Sequence, residues 1–116
     1  MHGPGAASTI RAVGHAGRPF LVECYLPGVD EAAVAGAGDR ARRAAEELSR
    51  SGGDIAYTCA VLMAADEVVF HEFRASDPAI VEAASRLAGL AFERIVESID
   101  ISPAAKLSSR KRDAGR

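Results

Sequence analysis

His71 is the one histidine between Arg18 and Ile101, and it stands inside the run Val68-Val69-Phe70-His71-Glu72-Phe73-Arg74. An imidazole on a strand can ligate Ni, Zn or Cu, or serve as an acid or base near neutral pH. Glu23 and Tyr25, in an earlier apolar run, would add a carboxylate and a phenol. The three make a small polar pocket if they share a face of one sheet. Period-two alternation puts Val69, His71 and Phe73 in one set and Val68, Phe70, Glu72 and Arg74 in the other, without ranking the two. In a symmetric dimer, two copies of His71 and Glu23 that met across the axis would surround a divalent ion. The plainer alternative is a single hydrogen-bonded histidine between Val69 and Phe73. Glu72 with Arg74 or Arg94 reads as a solvated ion pair.

Few other residues suggest chemistry. The sequence holds no G-x-S-x-G, P-loop, G-x-G-x-x-G or H-E-x-x-H pattern. Gly36-Ala37-Gly38 falls inside a helical pattern and offers no phosphate cradle. Cys24 and Cys59 form no C-x-x-C, and each lies in an apolar strand, which predicts two buried, reduced thiols.

The elements that must position these groups are legible from periodicity. Residues 18–26 alternate as a strand, with Phe20, Val22, Cys24 and Leu26 on its apolar face, so Glu23 and Tyr25 point away from any covering helix. Asp30 caps a helix that runs to about Ser51, with Val29 and Val34 as a hydrophobic staple and an alanine-rich stripe of Val34, Ala37, Ala41, Ala44, Ala45 and Leu48. Residues 54–63 form a second strand with Ile55, Tyr57, Cys59, Val61 and Met63 on one side. A short turn over 64–67 returns the chain as an antiparallel hairpin into the His71 strand. Asp77-Pro78 opens a second helix that buries Ile80, Ala83, Ala84 and Leu87, and Gly89 closes it. Residues 93–101 complete a fourth strand, with Ile95, Ile99 and Ile101 on one side.

Three segments follow: a Gly- and Ala-rich disordered arm at 1–17, one domain at 18–101, and a basic disordered tail at 102–116. From Pro19 to Ile101 there are 7 Arg against 15 Asp or Glu, a balance of −8, while the remainder carries +6. So acidic a domain repels phosphate backbones, which argues against nucleic-acid binding. No apolar run approaches the roughly 18 residues of a membrane helix. The N-terminus lacks a charged start and an apolar core, so no secretory signal is read, and a cytoplasmic protein is expected.

The order strand, helix, strand, strand, helix, strand predicts an α+β fold of the ferredoxin-like βαββαβ type, a four-stranded antiparallel sheet with two helices on one face. The opposite sheet face would be bare and partly apolar, which predicts a homodimer. The segments 20–27, 69–78 and 88–96, FLVECYLP, VFHEFRASDP and AGLAFERIV, resemble an uncharacterised ferredoxin-like family of small dimeric proteins that includes a nickel-binding member. The resemblance spans roughly Pro19 to Ile101. It implies the same fold, dimerisation and a metal site built from histidines, of which this domain supplies His71 alone. Nickel or another divalent ion is the implied cofactor.

The expected function is therefore a small dimeric binding protein that takes a metal or small ligand at the sheet face or in a pocket beside it. Glu23, Tyr25 and His71 are the candidate ligand-binding residues, and His71 the candidate metal ligand. Two other readings stand beside it. One is a cofactor-free dimeric α/β-barrel enzyme of the monooxygenase or isomerase type, and the other is a structural interaction module.

Overall fold

The computed structural model describes residues 17–101. The expected basic tail, and all of the expected arm but Gly17, lie outside the described residues. The elements are β1 (Arg18–Tyr25), α1 (Glu31–Arg50), β2 (Ile55–Met63), a short 3-10 turn (Ala64–Asp66), β3 (Val68–Ala75), α2 (Pro78–Leu87) and β4 (Arg94–Glu97). The four strands form one sheet in the order β2-β3-β1-β4, with every neighbouring pair antiparallel. This is the ferredoxin-like βαββαβ arrangement.

Local chemistry sets the helix ends. The Asp30 carboxylate accepts from the Ala33 N–H at 2.8 Å, and Asp77 accepts from Ala79 and Ile80 at 2.9 and 3.2 Å. Each satisfies donors that the first turn leaves free. Past α2, Gly89 takes a φ of 73°, a left-handed turn that a side chain would resist.

The core lies between the helices and one sheet face. Phe20, Val22 and Cys24 from β1, Val69, Phe73 and Ala75 from β3, and Ile55 from β2 are buried there beneath Val34, Ala37, Ala41, Ala44 and Ala45 of α1. Burying a side chain the size of phenylalanine contributes about 1.5–3 kcal/mol. The alanine stripe lets α1 lie close to the sheet.

Four details differ from the sequence expectation. In β2, Tyr57 pairs with Phe73 and Cys59 with Glu72, so Thr58 is an extra residue, a β-bulge. The bulge breaks the alternation: Ile55 and Tyr57 join the core side, Ala60 and Leu62 follow them, and Cys59, Val61 and Met63 turn to the other face. Cys59 is therefore exposed rather than buried, while Cys24 is buried as expected; both are free thiols. Helix α2 is rotated by one residue. It buries Val81, Ala84 and Ser85 and leaves Leu87 51% exposed. Ser85 is accommodated because its hydroxyl donates to the Val81 carbonyl at 2.8 Å. Strand β4 stops at Glu97, and Ile99 and Ile101 stand outside it in solvent. No helix among the described residues is long and apolar enough to cross a membrane.

Candidate functional site

The three residues singled out from sequence do not come together. His71 lies on the helix side of β3, fully buried. Glu23 and Tyr25 lie on the open side of β1, where Tyr25 is 51% exposed and Glu23 accepts from the Arg94 guanidinium at 2.5 Å. Antiparallel register places Val22, not Glu23, opposite His71. A dimer built on the open face would therefore keep the two imidazoles apart, each beneath its own helices. Among the described residues no group of three or more His, Cys, Asp or Glu gathers as a metal cluster.

The sheet instead gives His71 a partner on the neighbouring strand β2. The bulge at Thr58 swings Tyr57 to the helix side, and its hydroxyl lies 2.9 Å from Nδ1 of His71. The Tyr57 ring meets Phe73 edge to face at 5.2 Å between centroids and tilts against the imidazole at 5.9 Å. Nε2 of His71 is buried and has no hydrogen-bond partner. Burial, and then the nearby Arg40 charge, lower the His71 pKa from 6.5 to about 4. Burial raises the Tyr57 phenol to about 12. At neutral pH the pair is thus an uncharged imidazole and an uncharged phenol.

Tyr57 also lines a cleft of about 460 Å³ between α1 and the β2 edge of the sheet. Val34, Ala35, Ala60 and Leu62 give it apolar walls. Glu31, Asp39 and Arg42 form a charged rim. Arg42 is closed on itself, paired with Asp39 and with Glu46, the latter at 3.1 Å. Gly38 faces the phenol: a Cβ there would stand 3.0 Å from the Tyr57 oxygen. A second hollow of about 400 Å³ shares Tyr57 and Arg42, so the phenol stands where two recesses meet. Apolar walls with one or two directed polar groups are the usual make-up of a small-molecule site.

Sequence reasoning missed Tyr57 as a site residue. Counted back from the hairpin turn without a bulge, it would sit opposite Arg74 on the open face. A lone phenol in an otherwise apolar strand, on the neighbour of the histidine strand, was the available signal.

The open face carries a different chemistry. Tyr25, Val61, Met63 and Val96 are its exposed large hydrophobic side chains, with exposures of 51, 49, 44 and 39%. Its charges are arranged in pairs, Glu23 with Arg94 and Arg74 with both Glu72 and Asp100. Cys59 lies 3.9 Å from Glu72, and burial followed by that carboxylate raises its thiol pKa, which keeps it protonated.

This architecture and cleft define a small ferredoxin-like α+β domain with a recess between its first helix and its edge strand. No known protein-family profile matches the chain, and no curated protein matches it. The fold is similar to the crystal structure of SCO4226 from Streptomyces coelicolor A3(2). That match has a TM-score of 0.56 at 13% identity and covers 72% of this chain and 99% of the other. At that identity the likeness speaks for the fold alone.

Proposed function

We propose that this chain is a small-molecule-binding protein that works as a homodimer. The ligand sits in the cleft between α1 and β2, and the dimer forms through the open sheet face. The observation that carries the first part is the Tyr57 hydroxyl, set in an apolar recess and held at 2.9 Å by a buried histidine. Burying an imidazole with one unpartnered nitrogen has a cost, on the order of 1–3 kcal/mol. A position that only filled the core would be served as well by an apolar side chain. An imidazole there can orient the phenol.

The dimer is supported by the open face itself. Its charges are paired within the chain, Arg74 and Arg94 standing against Glu23, Glu72 and Asp100. Two copies that repel elsewhere can meet there. An isologous contact also suits a face whose charges are already paired within one chain. Two free thiols accord with a reducing compartment such as the cytoplasm.

A second reading draws on the same pair. A phenol directed at a bound carbonyl is the arrangement that stabilises developing negative charge on its oxygen, so a cofactor-free isomerase would use the same cleft. Titration of the isotope-labelled full chain with 1-tetralone, a compact bicyclic ketone, tests the binding reading. Shifts should cluster on Val34, Ala35, Gly38, Ala60 and Leu62. Shifts confined to the open face, or none, would contradict it. Exchange of the ketone's α-protons during the same titration would favour the isomerase.

A further inference from the structure

The contact between Tyr57 and His71 can be made in two ways, and the far side of the imidazole distinguishes them. A neutral imidazole carries one N–H and one lone pair. If the phenol donates to Nδ1, the ring proton sits on Nε2, which is buried without a partner. A buried donor is then orphaned. If Nδ1–H donates to the phenol oxygen, only a lone pair is left bare at Nε2, and the phenol proton is released for another acceptor. Orphaned buried N–H groups are the rarer defect in folded proteins, and under-satisfied acceptors the more tolerated one.

The space in front of the phenol agrees with the second arrangement. Among the described residues the hydroxyl has no hydrogen-bond partner but His71. Opposite it stands Gly38, inside α1, where glycine costs helix stability. The missing side chain leaves the approach to the hydroxyl open. Asp39 on the rim is paired with Arg42 and Arg43, and Arg42 also with Glu46, so among the described residues Glu31 is the rim charge left without an ion pair. An anion would be repelled there. An alcohol would bring a donor of its own into apolar walls, whereas a carbonyl brings an acceptor alone.

We infer that His71 is held as the Nδ1–H tautomer, donates to the Tyr57 oxygen, and so turns the Tyr57 proton into the cleft, where it selects an uncharged ligand bearing a carbonyl group. This rests on the cleft reading above and adds the chemical class of the ligand. In this arrangement His71 is a positioning residue and Tyr57 the ligand contact.

Two measurements on the full chain test it. Long-range proton–nitrogen correlation of the histidine ring reads the tautomer without any ligand. His71 should show a protonated Nδ1 and a bare Nε2, and a protonated Nε2 overturns the inference while leaving the cleft reading intact. The second compares 1-tetralone with tetralin, the same shape without the carbonyl. One neutral hydrogen bond predicts that the wild type prefers the ketone by about two- to tenfold, and that Tyr57→Phe removes the preference. Should Tyr57→Phe not fold, Gly38→Ala serves, because its Cβ crowds the hydroxyl; it should weaken the ketone and spare tetralin. Equal affinity for both probes in the wild type refutes the carbonyl selection alone. Failure of both probes to shift the cleft amides removes the cleft reading and the inference together.

Discussion

Tyr57 and His71 are joined across neighbouring strands because Thr58 is an extra residue in β2. Without that bulge the phenol would point to the open face and the imidazole would be alone in the core. The bulge thus makes one polar pair out of two side chains that regular pleating would separate. It also places the phenol at the mouth of the recess that α1 leaves beside the edge strand.

His71 makes stability depend on pH in a defined window. Its pKa falls from 6.5 to about 4 in the folded chain, through burial first and Arg40 second. Between those values the unfolded chain binds a proton that the folded chain does not. The stabilisation is therefore complete above pH 6.5 and is lost as pH falls towards 4. A shift of this size corresponds to about 3 kcal/mol. Tyr57 is uncharged across the window, so it adds nothing to the slope. Thermal unfolding between pH 7.5 and 4 should show the loss, and His71→Leu should flatten it. An equal slope in the variant would assign the effect to other groups.

The two glycines of α1 should respond differently to alanine. At Gly36 a Cβ meets nothing within 4 Å, so Gly36→Ala should raise stability by about 0.5–1 kcal/mol through helix propensity. At Gly38 the Cβ would press on the Tyr57 hydroxyl at 3.0 Å, and the gain should shrink or reverse. Denaturant melts of the two variants side by side would decide it. Equal gains at both positions would show that the space before Tyr57 is not confined.

The open face predicts its own behaviour. Sedimentation velocity at micromolar concentration should show two copies of the wild type. Val61→Lys together with Met63→Lys should give a monomer, because both side chains are exposed there and add charge to the contact. Helix content should be unchanged. A monomeric wild type would contradict the dimer.

Much of this fold was legible from periodicity, because the caps at Asp30 and Asp77, the apolar alternation of β1 and the hairpin turn are local signals. The site was less so. A bulge leaves no mark in an apolar run such as residues 55–63, and one extra residue inverts every side chain beyond it. The rotation of α2 was hidden for a similar reason: Ser85 counts as polar in any pattern, yet its hydroxyl is satisfied by Val81 and can be buried. Which face His71 takes depends on long-range pairing with Val22 and Ala60, and that is not written in its neighbours.

The most direct test of the Tyr57 cleft is a crystal structure of the full chain grown with saturating 1-tetralone. The ketone should lie between α1 and β2, its oxygen about 2.7–3 Å from the Tyr57 hydroxyl. A ketone bound on the open sheet face, or held in the cleft with its oxygen turned away from Tyr57, would contradict that assignment.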